Sequence, residues 1–244
     1  MILHFINLKI GKASLIQIGD QGTLVDVGDQ EDSKDLFNYL EDAGIKKISH
    51  IFLTNWSEEN ISGLSSLLQV YPNTIIYVPL LTADNYPVPT KFTYNKLGIG
   101  EQIILSEKPS ISIEALSPLE PLFHDSYNDS LVCLLHYQKL SVLLTSDIHE
   151  EAEPRLIEKY PHLKAEIMTV PDRPSGVLHS KAFIKKMDPQ TAVMMEMPCH
   201  NCKQIIKDAA NSYSQEWSDF FFVPIGANFK ILFHDGVYTT PKNQ

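Results

Sequence analysis

The chain predicts an α+β fold: two mixed β-sheets packed face to face, with helices outside. Three observations lead there. The apolar pattern switches repeatedly between period 2 and period 3.6 along the 244 residues. Each half opens on hairpin-like strands and continues into strand–helix units. No stretch has the composition of a linker, so residues 1–244 are expected to form a single domain.

Taken in order, Ile2 to Leu8, Ala13 to Ile18 and Gly22 to Val27 read as three short strands, with Asp20-Gln21-Gly22 as a tight turn. Asp32 or Ser33 is expected to cap a helix running to about Ala43, where Gly44 can take the left-handed terminal position. Ile48 to Thr54 reads as a buried strand. A helix should follow from about Glu58 to Tyr71, with Ser57 as its cap. The Pro-containing stretch from Leu80 to Lys96 reads as an irregular insertion.

The second half repeats the scheme. Strands are expected at Gln102 to Leu105, Ser110 to Leu116, Leu131 to Tyr137 and Leu140 to Thr145. A helix from His149 to Tyr160, a strand from Ala165 to Val170 and a helix from Ser180 to Met187 come next. Strands near Ala192 to Met197, Phe220 to Val223, Lys230 to Phe233 and Gly236 to Tyr238 close the chain, with a helix near Cys202 to Ser212.

Composition removes several function classes. With 43% apolar and 20% charged residues the chain is globular and not disordered. No run approaches the roughly 18 to 20 apolar residues of a membrane span, and the N-terminus lacks a signal-peptide pattern. The expected compartment is therefore the cytoplasm, where the three cysteines would stay reduced. A net charge of -10, with basic residues clustering no further than pairs such as Lys46-Lys47, tells against non-specific nucleic-acid binding. Phosphate-cradling and nucleophile-elbow motifs are absent.

Five segments carry a resemblance. They are Leu24-Val25-Asp26-Val27-Gly28, the run from Ile51 through Thr54-Asn55-Trp56-Ser57-Glu58-Glu59-Asn60 to Gly63, Asn128-Asp129-Ser130-Leu131-Val132, Leu143-Leu144-Thr145-Ser146-Asp147-Ile148, and Val170-Pro171-Asp172-Arg173-Pro174-Ser175. In this order they resemble the metallo-β-lactamase superfamily, most closely the C-terminal metallo-β-lactamase-like domain of ComEC competence proteins. The corresponding strings there read L-I-D-T-G, L-T-H-P-H-A-D-H-I-G-G, N-N-S-L-V, L-L-T-G-D-I and V-P-H-H-G-S. The resemblance implies a four-layer αββα sandwich, a hydrolase ancestry and a pocket made by Asp26, Asn55, Ser57, Glu59, Asn60, Asn128, Asp147, Asp172 and Arg173. It also admits nucleic acid as a substrate, which the net charge disfavours.

The departures bear on the chemistry. Where the family places His, His, Asp and His, this chain has Asn55, Ser57, Glu59 and Asn60; where it has His-His-Gly, there stand Asp172, Arg173 and Pro174. The early acidic segment becomes Asn7 to Ala13 and loses both acids. Zinc needs neutral imidazoles or anionic ligands, and an amide oxygen or a hydroxyl is a far weaker donor. No zinc cofactor is expected. The surviving carboxylates Glu59, Asp147 and Asp172 could instead hold a hard cation such as Mn²⁺ or Mg²⁺, or Arg173 could pair with Asp147 or Glu59 and fill the hole.

Two functions follow. One is a pseudoenzyme acting by binding a protein or a small ligand. The alternative is a phosphodiesterase-type hydrolase using that cation. Cys199-His200-Asn201-Cys202 lacks the second pair a zinc site needs and reads as an unreactive thiol pair. His149 reads as the start of a surface helix.

Overall fold

The structure, a computed structural model, describes residues 1–86, 92–171, 178–196, 198 and 201–241. In chain order its first elements are β1 (Ile2–Asn7), β2 (Lys12–Ile18), β3 (Gln21–Val25), α1 (Ser33–Asp42), β4 (Lys47–Phe52), α2 (Glu58–Ile61), α3 (Leu64–Val70), β5 (Ile75–Pro79), α4 (Leu80–Asn85) and β6 (Asn95–Leu97). There follow β7 (Gln102–Ser106), β8 (Ile111–Ala115), β9 (Cys133–Tyr137), β10 (Leu140–Leu144), α5 (Glu153–Lys159), β11 (Ile167–Val170), α6 (Lys181–Met187) and β12 (Thr191–Met195). The last are α7 (Cys202–Gln215), β13 (Asp219–Val223), β14 (Asn228–His234) and β15 (Val237–Thr239).

These elements form two compact units, Met1–Leu97 with Pro224–Gln244, and Gly98–Val223. The first holds an eight-stranded sheet in the order β15-β14-β1-β2-β3-β4-β5-β6. Its strands are antiparallel from β15 to β3 and parallel from β3 to β6. The second unit holds a seven-stranded sheet, β13-β12-β11-β10-β9-β8-β7, antiparallel from β7 to β10 and parallel from β10 to β13. The predicted α+β class and its two mixed sheets are what the chain has.

Burial explains why these strands read as nearly continuous apolar runs. In β1, successive residues from Leu3 to Asn7 are all buried, as both faces of a central strand must be. In the first unit Leu15, Leu24, Ile48 and Ile51 of the sheet pack with Leu36 and Leu40 of α1 and Leu64 and Leu67 of α3. In the second, Leu134, Leu143, Met168 and Ala192 pack with Leu156 of α5, Phe183, Ile184 and Met187 of α6, and Ala209 and Tyr213 of α7. Each fully buried Leu, Ile or Phe contributes about 1.5 to 3 kcal/mol.

Several expectations need correction. Residues 58–71 form no single helix: α2 ends at Ile61 and α3 begins at Leu64. Gly63 lies at the break, where an added Cβ would stand 2.8 Å from Val27 O, so the chain turns to bring its backbone close to the Val27–Asp29 segment. The stretch Leu80 to Lys96 is no plain insertion, since α4 and β6 lie within it, and β5 before it was not anticipated. The helix expected from His149 starts only at Glu153, with Pro154 in its first turn, where a missing N–H costs nothing. The Asp32 side chain does not cap α1. It accepts instead from the backbone N–H groups of Lys9, Ile10 and Gly11, at 2.7 Å for Gly11, and so fixes the β1–β2 loop.

Gly44 does hold the left-handed conformation, at φ 75°. Cys133 is buried and in no disulfide, but Cys202 is disulfide-bonded, which departs from the expectation of three reduced thiols. That expectation rested on compartment, whereas bond formation follows from how near two sulfurs are held. Cys199 and His200 lie outside the described residues. Among the described residues, no helix is long and apolar enough to cross a membrane.

Candidate functional site

The motif residues of the first unit gather where β3 and β4 end. β3 runs apolar through Leu24 and Val25, and at Asp26 the backbone turns left-handed, at φ 59°. That turn aims the Asp26 carboxylate across to the strand beside it: Oδ1 accepts from Thr54 N and Oδ2 from Thr54 Oγ1, both at 2.8 Å. Asp26 N donates to Phe52 O at 2.9 Å. Backbone and side chain together tie the two strand ends into one rim.

Beyond Thr54 the polar side chains bond among themselves. Asn55 Oδ1 accepts from Ser57 N at 3.0 Å, Ser57 Oγ at 2.6 Å and Asn60 Nδ2 at 3.0 Å. Asn60 Nδ2 also reaches Thr54 Oγ1 at 3.5 Å, and the Asn60 carbonyl accepts from Val27 N. Ser57 precedes α2 in extended conformation, yet its hydroxyl does not cap the helix, because Asn55 takes it. Asn55 and Asn60 are buried, at 2% and 1% exposure. Asn60 Oδ1 and the nearby Trp56 Nε1 are buried without a hydrogen-bond partner among the described residues.

Glu59 is half-buried, and its carbonyl lies where a side chain on Gly11 would be. A Cβ there would stand 2.1 Å from Glu59 O and 2.8 Å from Asp29 N. The β1–β2 loop therefore lies directly on α2, backbone to backbone, in the segment where both family acids are lost.

In the second unit, Asn128 is the hub. Its Oδ1 accepts from His149 N at 3.2 Å, and its Nδ2 faces Asp125 Oδ2, His149 Nε2 and Glu151 Oε2, each at 3.1 Å. Asp129 is fully buried and holds Phe123 N at 2.9 Å, a loop-fixing role. Asp147 is buried on the turn after β10, where Ser146 takes φ 51°. A shallow cavity beside Asn128 is lined by Ser117, Phe123, Ile148, Arg155 and Leu156, with the Arg155 guanidinium 3.9 Å above the Phe123 ring.

The structure thus joins Asp26, Asn55, Ser57 and Asn60 through Thr54, and centres a second cluster on Asn128. Asp172 and Arg173 lie outside the described residues. Sequence reasoning placed His149 on a surface helix, but its side chain is only 12% exposed and bonded to Asn128. Asp125 and Glu151 were passed over as well; the D-x-x-N spacing at 125–128 was the available signal. Among the described residues no group of three or more His, Cys, Asp or Glu side chains could hold a metal ion.

Comparison with known proteins accords with this arrangement. The chain is 22% identical over 166 residues to ComE operon protein 3 of Bacillus subtilis (strain 168), a match covering 66% of this chain but only 21% of that protein. Among solved structures, CmlA, a diiron β-hydroxylase from Streptomyces venezuelae, superposes with a TM-score of 0.65 at 11% identity, covering 95% of this chain and 54% of that one. The short form of human tRNase Z gives 0.51 at 12% identity, with coverage of 80% and 92%. These likenesses show the fold. The model of the metallo-β-lactamase superfamily matches residues 7–195, from the β1 end bearing the altered acidic segment to the end of β12, and the chain belongs to that superfamily.

Proposed function

We propose that this protein acts by binding, as a member of the superfamily that has given up zinc hydrolysis. The observation that carries the reading is the Asn55 amide oxygen, which accepts three hydrogen bonds from Ser57 and Asn60. A zinc ligand must present a lone pair outward, and imidazole or thiolate does so with strong basicity. Here the side chains at three motif positions are neutral, weakly basic and turned toward one another. They do not fit zinc, and no hydrolytic step is derived through one.

The same cluster suits a ligand that donates hydrogen bonds. Asn60 Oδ1 is a buried acceptor without a donor, a state that costs about 1 to 3 kcal/mol and that an incoming N–H or O–H would relieve. A protein or small-molecule partner is proposed on that ground. The likeness to ComE operon protein 3, over 21% of that longer protein, supports reading this chain as a non-hydrolytic counterpart of that part.

Metal analysis of protein purified without chelator tests the proposal. Less than one zinc per chain is expected. Stoichiometric zinc held through dialysis would overturn it.

A further inference from the structure

The outer edge of β13 offers main-chain groups that no described strand takes up. β13 ends the seven-stranded sheet, and β12 is its neighbour there. Asp219 N donates to Gln190 O at 2.8 Å, and Val223 O accepts from Glu196 N at 2.9 Å. Asp219 and Val223 therefore turn their main-chain groups toward β12, and by alternation Phe221 does too. Phe220 and Phe222 point their N–H and C=O groups the other way, out of the sheet edge. Folded proteins guard such an edge with a bulge, a proline or a charge. From Phe220 to Val223 there is neither proline nor charge, and the β12–β13 register runs without a shift.

Trp217 lies just ahead of this edge, on the turn that leaves α7. Ser218 N donates to Tyr213 O at 3.1 Å, and Trp217 N to Ser214 O at 3.2 Å. This pair of bonds ends a helix on a left-handed residue, a place that glycine ordinarily fills. Trp217 fills it at φ 65°, with 94% of its surface exposed. Two costs meet in one residue: a strained backbone, and a large apolar ring left in water. The backbone beneath the ring is fixed, since Ser218 is buried and its hydroxyl donates to Pro189 O.

Charge indicates the occupant. Glu216 and Asp219 stand on either side of Trp217 and Ser218 in the chain, the first half-buried and the second exposed. Neither is in an ion pair with a described residue. Lys181, which reaches this end of α7, is engaged with Gln215 Oε1 at 3.3 Å. The whole chain carries a net charge of -10. An aromatic face beside carboxylates attracts a cation. A second copy would bring the same carboxylates and the same net charge, so the charges favour a basic partner over self-association.

We infer that the β13 edge and Trp217 form a docking surface for an extended basic segment of a partner protein. The segment adds as a strand beside β13 and exchanges hydrogen bonds with Phe220 and Phe222. It sets a lysine or arginine side chain on the Trp217 ring, on the side of Asp219. The inference concerns the second unit alone and does not rest on the Asn55–Asn60 cluster.

NMR of the intact chain with a short blocked peptide alternating arginine and valine tests it. Expected are shifts and slowed exchange at the Phe220 and Phe222 amides. The Phe221 and Val223 amides, which face β12, should keep their exchange rates. Trp217→Ala should weaken binding about ten-fold, and Asp219→Lys by a similar factor. A peptide alternating glutamate and valine should not bind, nor should the basic peptide with its backbone amides methylated. No binding of the basic peptide overturns the inference, as does binding that leaves Phe220 and Phe222 unmoved. Equal binding of the acidic peptide, or unchanged affinity in both variants, overturns it as well. Sedimentation of the free chain should show a monomer; a dimer paired through the Phe220 and Phe222 amides would make the occupant a second copy and overturn the basic partner.

Discussion

The Ser57 hydroxyl donates to the Asn55 amide oxygen at 2.6 Å, closing a three-residue loop of the chain at a place where the family has metal ligands. The bond converts a coordination site into a hydrogen-bonded turn. Its partners are neutral, so it needs no counter-ion to be stable.

Removing the acceptor should therefore cost more than removing the donor. Asn55→Ala takes this acceptor from the buried Asn60 amide and from the half-buried Ser57 N–H and O–H, and a loss of about 2 kcal/mol in denaturant unfolding is expected. Ser57→Ala, which deletes one donor and leaves Asn55 two others, should cost about 1 kcal/mol. Equal effects would show that Asn55 is not the hub.

Gly11→Ala tests the contact between the β1–β2 loop and α2. With Glu59 O at 2.1 Å and two other backbone atoms at 2.8 Å from the new Cβ, no flexible side chain can give way. A destabilisation of about 3 kcal/mol or more is expected, the upper range for overpacking. A variant as stable as the parent would refute the backbone contact.

Divalent cations distinguish the binding reading from a carboxylate-metal hydrolase. Saturating Mn²⁺ or Mg²⁺ should leave the melting temperature unchanged, whereas a ligand at 100 times its Kd would add about 2.7 kcal/mol. If the melting temperature rises and Asp147→Asn abolishes the rise, the cation site exists and phosphodiesterase assays are warranted.

His4 should make the fold acid-sensitive. It is buried in β1 with Nε2 donating to Gln17 Oε1 at 2.8 Å and Nδ1 2.9 Å from the Tyr39 hydroxyl. Burial above all, then the nearby Lys230 charge, brings its pKa from 6.5 down to about 4, against the raising effect of the Gln17 bond. Because the folded value is the lower, the unfolded chain binds more protons between these limits. The stability from neutral His4 is whole above about pH 6.5 and drains away toward pH 4, by at most about 3 kcal/mol. Unfolding midpoints of the parent and of His4→Gln across this window check it; the variant should show the flatter profile, and parallel profiles would assign the sensitivity elsewhere.

Much of the fold was legible because it rests on periodicity. The run of buried residues from Ala13 to Ile16, or the spacing of Leu36 and Leu40, reports burial directly. The break at Ser62–Gly63 was not, since what ends α2 is the nearness of the Val27 and Gly28 carbonyls, a contact across more than thirty residues. The site shows the same division. Residue types at Asn55, Ser57 and Asn60 sufficed to question zinc, as donor strength is intrinsic to the side chain. Which hydroxyl bonds to which amide is a matter of position, so Ser57 was read as a cap and Asp32 likewise. His149 and His179 were both opaque for that reason: one joins Asn128 and the other Glu153, each more than twenty residues away.

The pairing of β1 with β14 sets a schedule for synthesis. Ile6 lies opposite Asn228, so an early strand of the first unit waits for a partner translated roughly 220 residues later. At about 5 to 20 residues per second that is a delay of roughly 10 to 45 s. All of Gly98–Val223 leaves the ribosome within it and can fold first, while β1 keeps an apolar edge that invites other strands. A nascent chain stalled before residue 228 should bind chaperones through that edge, and release should come with the arrival of β14.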